Sequence, residues 1–371
     1  MHISDTHVGK RQYNLETREK DIYEVFETLI DTAISERVDA VIHAGDLFDV
    51  SNPNTEAEMV VVKNLMKLKE KGIPFIGIPG DHDTPKRRGA TVHEMLQNLG
   101  LVRVPELDKP IEVKQVKFYG KKHVPLLSES TREEFQKIVR GLRPQGKSVL
   151  MLHQGVKEWL PFDYSYQLTL DDLPKDFVYV ALGHLHFRKR VRRENGSYIA
   201  VAGSPDIIDE REIEDYKNFK KGAWLVDLSK DEPVVQGKDL EIRPQDVISV
   251  STRNLEEEIR AKAPKPVRGK LPIIHLILEG EPIKKDVLMK KISSLEGVIA
   301  EKIRIYKDNT YLTPQDKAQL AVNTGSINDL ILEYLVKREG YKEDEARLIL
   351  KMILSDDEDE ILNAVRTFAG V

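Results

Sequence analysis

The sequence of 371 residues contains no cysteine, only two tryptophans and no long apolar run. The absence of cysteine excludes disulfides, a cysteine nucleophile, thiolate zinc sites and iron–sulfur clusters. Any metal must therefore be held by histidine, carboxylate or amide groups. No apolar run approaches the roughly 20 residues of a membrane span, and the N-terminus lacks the basic start and apolar middle of a signal peptide. We therefore expect a cytoplasmic protein that makes no use of a membrane.

A strong excess of positive charge is also missing. Lys and Arg number 57 against 62 Asp and Glu, which gives a formal net charge of −5. Taken alone, this value argues mildly against a nucleic-acid binder, since such proteins usually carry a basic surface. However, residues 312–371 contain 7 basic and 12 acidic residues, and the first 311 residues contain 50 of each. The negative excess lies in the C-terminal part, so a polyanionic ligand is not excluded for the rest.

Hydrophobic patterning predicts four parts. Residues 1–240 alternate strand-like and helix-like segments, which indicates a layered α/β domain. Residues 241–312 read as a small separate α/β unit, residues 313–324 as a polar linker, and residues 325–371 as amphipathic helices. The apolar faces of these helices carry Ile327, Leu330, Ile331, Tyr334, Ile349, Leu350 and Ile353. These faces either pack on the same chain or bind a partner.

Histidines and aspartates recur directly after predicted strands. They fall in five groups, which are Asp5-Thr6-His7, Gly45-Asp46, Gly80-Asp81-His82, His153-Gln154 and His184-Leu185-His186. Ligands of layered α/β folds bind at the carboxyl ends of the strands. Each group alone is unremarkable, but five groups at five strand ends predict a metal site.

The donor types limit the chemistry of this site. Neutral imidazoles with several carboxylates suit Mn²⁺, Fe²⁺ or Zn²⁺, and a site without thiolates favours the harder ions. The ligands suffice for two ions. Two ions about 3.5–4 Å apart stabilise both the attacking and the leaving oxygen of a displacement at phosphorus, and they acidify a bound water.

Three basic clusters stand beside three of the metal groups. These clusters are Lys10-Arg11, Lys86-Arg87-Arg88 and Arg188-Lys189-Arg190. A single cluster would be an ordinary solvated surface. Three clusters in these positions predict a basic rim suited to a polyanion such as DNA.

The amino-acid sequences of these motifs resemble those of a known family. The strings HISDTHVGKRQY, HAGDLFD, PGDHDTPKR, MLHQGV and ALGHLH are similar to those of the calcineurin-like metallophosphoesterases. Within that family they look most like the nuclease subunit of the DNA double-strand-break repair complex, the SbcD-type nuclease and its archaeal and eukaryotic counterparts. The resemblance covers residues 1–230 through specific motifs and the rest through organisation alone.

The resemblance implies a fold and a set of partners. The fold is a layered two-sheet α/β sandwich flanked by helices, with a small capping domain and a C-terminal helical segment that docks onto a coiled-coil ABC-type ATPase. The activity is a two-metal, Mn²⁺-dependent exonuclease and endonuclease acting on broken DNA ends. A homodimer forms through helices, for which residues 21–37 and 55–71 are candidates here. We expect an archaeal, nucleoid-associated protein.

The resemblance also assigns roles to residues. It gives Asp5, His7 and His186 to the first metal, Asp46 to both metals, and Asp81, His153 and His184 to the second. His82 is not a ligand in this assignment. It stands near the scissile phosphate, where it stabilises the transition state and protonates the leaving oxygen.

Two features depart from the family pattern. The third motif reads Gly-Asp-His where the family has Gly-Asn-His, so Asp81 adds a negative charge that should tighten cation binding. The first strand is short, and we expect the natural chain to begin a few residues earlier. Two alternatives therefore stay open. One is a phosphatase or small-molecule phosphodiesterase of the same fold, and the other is a DNA-end-binding scaffold whose catalysis Asp81 has weakened.

Overall fold

A computed structural model describes residues 1–85, 89–125, 128–160, 166–310, 331–332, 335–336, 341–354, 364–365 and 368. The chain divides into two compact units. One comprises Met1–Val250, Asn254–Ile277 and Asp286–Tyr306, and the other comprises Ser251–Arg253, Leu278–Lys285 and Lys307–Val371. Within the described residues, no helix has the length and apolar character needed to cross a membrane.

The described helices and strands alternate along most of the chain. The helices are α1 (Glu16–Ser35), α2 (Thr55–Glu70), α3 (Val92–Asn98), α4 (Glu129–Arg140), α5 (Glu212–Asn218), α6 (Leu255–Lys262), α7 (Lys285–Ser293) and α8 (Glu343–Leu354). The strands are β1 (His2–Ile3), β2 (Val41–His43), β3 (Phe75–Gly77), β4 (Ile111–Val113), β5 (Val116–Lys121), β6 (Ser148–His153), β7 (Tyr179–Gly183), β8 (Lys189–Arg192), β9 (Tyr198–Val201), β10 (Gly222–Asp227), β11 (Val234–Asp239), β12 (Gln245–Ser251), β13 (Ile273–Glu279) and β14 (Lys302–Asp308).

Two mixed sheets form the centre of the first unit. One has the strand order β11-β10-β1-β2-β3, in which β1, β2 and β3 run parallel. The other has the order β4-β5-β6-β7-β9-β8, in which β5, β6, β7 and β9 run parallel. Parallel strands end at the same edge of their sheet, so each sheet collects the residues that follow its strands at one edge.

Successive side chains of a strand point to opposite faces of the sheet, so the core is divided into layers. On β6, Val149 and Met151 face the core between the two sheets, whereas Leu150 and Leu152 face the outer layer with α4. A period of two is what places successive side chains on opposite faces of a sheet. Both faces are apolar because both are covered. The predicted two-sheet sandwich flanked by helices is therefore confirmed.

Helices α1 and α2 cover the outer face of the first sheet. Phe26 and Leu29 of α1 and Leu65 of α2 are buried against strand residues such as Ile3. Asn54 begins α2 as its N-cap, because its side-chain oxygen accepts a hydrogen bond from the Ala57 N–H. These helices fix the loops that follow β1 and β2.

The structure describes only some of the segments covered by the remaining sequence predictions. Strands β12, β13 and β14 form a three-stranded sheet accompanied by α6 and α7, but the predicted domain boundaries stay a prediction. The predicted linker, residues 313–324, lies outside the described residues. So do Ile327, Leu330, Tyr334 and the side chain of Ile353. Ile331 and Ile349 are half-buried and Leu350 is buried.

Candidate metal centre

The residues of the five sequence groups follow the ends of five parallel strands. Asp5 and His7 follow β1, Asp46 follows β2, Asp81 and His82 follow β3, His153 ends β6, and His184 and His186 follow β7. The structure brings ligand atoms from both sheets within 4.8 Å of one another in four overlapping sets. The strand ends thus assemble one continuous cluster.

The backbone at these positions is unusual. Asp5, His7, Asp46 and His184 all have positive φ values, of 50°, 41°, 56° and 79°. Non-glycine residues rarely adopt this region, and such strain concentrates at functional sites. Four of the seven predicted ligands therefore lie at strained turns that aim their side chains at the cluster.

Two glycines make room for the cluster. A Cβ atom at Gly45 would overlap the imidazole of His153, and one at Gly80 would overlap the carboxylate of Asp46. Gly45 also has a positive φ of 97°. Each glycine directly precedes a predicted ligand. Because a glycine has no side chain, a predicted ligand that follows a different strand can approach the backbone closely at this position.

The first set joins Asp5, His7 and His186. Oδ2 of Asp5 and Nε2 of His7 are buried, and neither has a hydrogen-bond partner among the described residues. Burial raises the pKa of Asp5 because it disfavours the charged carboxylate. A cation between these atoms would satisfy both and restore the anion, so the set fits a divalent metal.

The second set joins Asp81, His123, His153 and His184. Oδ1 of Asp81 lies 2.9 Å from Nε2 of His153 and 3.2 Å from Nδ1 of His184. Nδ1 of His153 lies 2.8 Å from the carbonyl oxygen of Ala44 and so donates its proton there, which directs Nε2 towards the cluster. These converging donors fit a second ion.

Asp46 lies between the two sets. Its Oδ2 is 3.3 Å from Nε2 of His153 and 3.6 Å from Nε2 of His7. Burial raises the pKa of Asp46, but the charges of His153 and His7 and the hydrogen bond with His153 together outweigh it and hold the pKa well below its usual range. Asp46 is thus an anion within reach of both donor sets, as a ligand shared by two ions would have to be.

His82 stands at the rim of the cluster and is exposed. Its backbone N–H donates to Oδ1 of Asp46 at 2.9 Å, and its Nδ1 donates to the Asp49 carbonyl oxygen at 2.7 Å. Its ring contacts that of His7 edge-to-face, with centroids 4.7 Å apart. These contacts leave Nε2 available for a substrate.

The comparisons with known proteins agree with this arrangement. Residues 1–218 match the family model described as calcineurin-like phosphoesterase. The chain belongs to the calcineurin-like phosphoesterase family.

Three similar relatives bear the name DNA double-strand break repair protein Mre11. The one from Saccharolobus solfataricus is 46% identical and aligns over 98% of this chain and 97% of its own length. Those from Sulfurisphaera tokodaii and Sulfolobus acidocaldarius are 44% and 43% identical and cover 97% and 100% of this chain, and 94% and 98% of their own lengths.

In this phosphoesterase, carboxylates behind the cluster orient two of its histidines. Oδ1 of Asp49 lies 3.3 Å from Nδ1 of His7, and Oε1 of Glu212 lies 2.8 Å from Nδ1 of His186. A carboxylate that accepts the second N–H of a ligating histidine fixes its tautomer and raises its basicity. Asp49 also pairs with Lys10 at 3.2 Å.

Asp83 has a different supporting role. Its carboxylate accepts hydrogen bonds from the backbone N–H groups of Leu47, Phe48 and Gly80, at 2.9–3.1 Å. It therefore ties the loop after β2 to the loop after β3. This contact holds Asp46 and Asp81 at a fixed separation.

The predicted basic residues divide into three kinds. Lys10 pairs with Asp49 beside the cluster, Arg11 follows it and is exposed, and Lys189 and Arg190 lie on the edge strand β8. Lys86, Arg87 and Arg88 lie outside the described residues. Arg188 is turned inward. Its guanidinium pairs with Asp239, donates to the carbonyl oxygens of Ala223 and Lys238, and stacks on Trp224. Arg188 therefore joins strands rather than forming part of a rim.

Sequence reasoning missed three residues of the site. His123 follows the end of β5, beside His153 on β6, and the rule that found the other ligands would have found it too. Glu212 and Lys221 left no such signal, because their roles depend on a buried contact between α5 and the start of β10. Burial raises the pKa of Glu212, but Lys221 and His186 outweigh it and lower the pKa to about 2.

Proposed function

We propose that this protein is a two-metal DNA nuclease that processes double-strand breaks, as an exonuclease on double-stranded ends and an endonuclease on single strands. The observation that carries this proposal is the pair of donor sets joined by Asp46, in a chain about 45% identical to proteins named for double-strand break repair. The donors are histidines and carboxylates, and we propose Mn²⁺ as the ion in both positions.

In this proposal, the two donor sets would hold divalent ions, which when bound would supply a nucleophilic water and neutralise charge on the scissile phosphate. Asp46 holds the two donor sets in register, and Asp49 fixes the ring of His7. His82 lies beside both, with Nδ1 held by the Asp49 carbonyl and Nε2 free. It stabilises the transition state and gives a proton to the departing DNA oxygen. Lys10, Arg11, Lys189 and Arg190 attract the DNA backbone.

A nuclease assay tests the proposal directly. We expect the purified chain with Mn²⁺ to shorten end-labelled duplex DNA and to cut circular single-stranded DNA, and EDTA to stop both reactions. A chromogenic phosphate diester assayed in parallel separates the alternatives. Hydrolysis of the diester with intact DNA would indicate a phosphatase or small-molecule phosphodiesterase. Binding of DNA ends without any hydrolysis would indicate a scaffold.

We also propose that the chain forms a homodimer through α2. Of the two predicted helical stretches, residues 21–37 turn their apolar side chains into the core. In contrast, Met59 of α2 is 66% exposed and Leu99, just after α3, is 53% exposed. With Met66 and Met95 they line an apolar groove of about 570 Å³. A second copy of the same face would cover it, since two-fold interfaces bury the same patch on both subunits.

Charged substitutions on α2 should separate the dimer. We expect the double variant Met59→Glu/Met66→Glu to sediment as a monomer at concentrations where the wild-type chain is a dimer, because four carboxylates would be buried in the interface. Val298 is 62% exposed in the loop after α7, so Val298→Glu is the matched control and should stay dimeric. A double variant of unchanged mass would show that α2 is not the interface.

The C-terminal helices are proposed as the site for a coiled-coil ABC-type ATPase. Within this proposal, residues 1–240 form the nuclease domain, residues 241–312 cap it, and residues 325–371 bind the partner. The three relatives come from archaea. We accordingly place the protein in an archaeal cytoplasm, on the nucleoid.

Removing the C-terminal segment should leave the nuclease intact. We expect a chain ending at Asn323 to stay folded and to cleave DNA at a rate within about twofold of the full chain, because every residue of the two donor sets precedes residue 190. Circular dichroism, metal content and the nuclease assay check this. Loss of metal binding or solubility would mean that the helices belong to the core of the catalytic part.

A further inference from the structure

His123 lies at the metal cluster although no family motif contains it. It follows β5, and β5 pairs in parallel with β6, which ends at His153. The end of β5 therefore reaches the same edge of the sheet as the ends of β6 and β7. This position accounts for the presence of a third imidazole beside His153 and His184.

The side chain of His123 lies against members of the second donor set. Its Nδ1 is 3.9 Å from Oδ1 of Asp81 and 3.1 Å from the carbonyl oxygen of His153. Its ring centroid is 5.4 Å from that of His184 and 6.0 Å from that of His153. The side chain is only 12% exposed. A ligand atom of His123 lies within 4.8 Å of those of all three other residues.

We propose that His123 is an additional ligand of the second metal, beyond the residues that the family resemblance assigns. This inference rests on the proposed two-metal function. With Asp46 and Asp81, the second position then has two carboxylates and three imidazoles. Three imidazoles bind borderline ions such as Co²⁺, Fe²⁺ and Zn²⁺ more readily than an oxygen-rich site does, so the second position should accept these ions as well as the proposed Mn²⁺.

An alternative role for His123, which is to position His153, leads to a different expected result. The carbonyl oxygen of His153 accepts a hydrogen bond from Nδ1 of His123. Through this bond alone His123 could position His153 without touching a metal. An asparagine at position 123 would keep an N–H near the place of Nδ1 but would lack a ring nitrogen. The variant His123→Asn therefore separates the two roles.

Metal titration of the full-length, metal-free protein tests the proposal without DNA. Co²⁺ is the probe. Calorimetry measures the number of bound ions and their affinities, and visible absorption reports the coordination geometry. We expect the wild-type chain to bind two Co²⁺ ions. In both His123→Ala and His123→Asn, one ion should bind more weakly by at least the roughly 10- to 100-fold that loss of a side chain orienting a ligand costs, with a changed absorption band.

Three results would overturn the proposal. The first is unchanged affinity and spectrum in His123→Ala. The second is recovery of both the wild-type affinity and the wild-type absorption band in His123→Asn, which would assign His123 to positioning, because an amide oxygen bound to Co²⁺ in place of an imidazole would change the band. The third is an equal loss in Lys122→Ala, an exposed neighbour on the same loop, which would show that the loop rather than the imidazole matters. Circular dichroism in EDTA confirms that each variant is folded. A chain that binds two Co²⁺ ions as expected but cleaves no DNA would contradict the nuclease proposal alone.

Discussion

Substitution of His82 by serine should lower DNA cleavage by about 10²- to 10⁴-fold, the range typical for the loss of a positioned acid or base. His82 is exposed at the rim, and its side chain contacts the protein through the Asp49 carbonyl and the ring of His7. Serine keeps the backbone N–H that donates to Asp46. The cluster should therefore stay assembled while the proton donor is lost.

Metal content shows whether this loss is chemical. His82 lies close enough to His7 and Asp46 to be a ligand by distance alone. We expect His82→Ser to bind two metal ions with wild-type affinity in a calorimetric titration. Loss of one ion would instead make His82 a ligand and would contradict its assignment as a proton donor.

A comparison of two substrates tests whether His82 transfers a proton. A DNA sugar oxygen is a poor leaving group and needs a proton, whereas a nitrophenolate leaves without one. We expect His82→Ser to retain far more activity on a nitrophenyl phosphate diester than on DNA. An equal loss on both substrates would indicate that His82 only stabilises charge on the phosphate and transfers no proton.

The sequence pointed to the residues that the structure brings together in the cluster because the physical rule behind them is local, and their role as metal ligands stays a prediction. A short apolar strand followed closely by Gly and Asp needs no long-range information to be recognised, and parallel strands end at one edge. Asp46 and Asp81 illustrate this point. The two-sheet sandwich depended on the family resemblance, since periodicity alone gives strands but not their order.

The residues behind the ligands could not be predicted in the same way. Glu212 is separated by 26 residues from the histidine that it orients, and its partner Lys221 begins another element. Arg188 stood in a basic cluster but is buried against Trp224. In both cases a charged residue in the sequence looks the same whether it faces solvent or the interior. Only the packing of distant elements decides between these outcomes.

The second large effect is expected at Lys221, whose side chain is 1% exposed. Its Nζ lies 2.6 Å from Oε2 of Glu212, 2.7 Å from Oγ of Ser204 and 2.8 Å from the carbonyl oxygen of His186. Replacing Lys221 by methionine removes this charge and leaves the Glu212 carboxylate buried without its cation. Such a loss typically costs about 3–5 kcal/mol of unfolding free energy. Urea unfolding of the metal-free protein at pH 7 measures it.

A double variant distinguishes the buried charge from lost packing. In Lys221→Met/Glu212→Gln neither charge is present, and the glutamine oxygen can still accept the N–H of His186. We expect it to be more stable than Lys221→Met alone, because an unpaired buried charge costs more than a neutral pair. If the double variant is no more stable than Lys221→Met, the loss comes from packing around the methylene chain of Lys221.

The pH dependence of stability provides an independent check on the same pair. The folded-state pKa of Glu212 is lowered from 4.5 to about 2, so its contribution to stability is present above pH 4.5 and is lost as the pH falls towards 2. The difference in unfolding free energy between the wild-type chain and Lys221→Met should therefore be largest near pH 7. It should shrink below pH 4.5, because protonation of Glu212 then removes the charge that Lys221 neutralises. A difference that is constant from pH 7 to pH 3 would mean that Lys221 stabilises the fold without acting on Glu212.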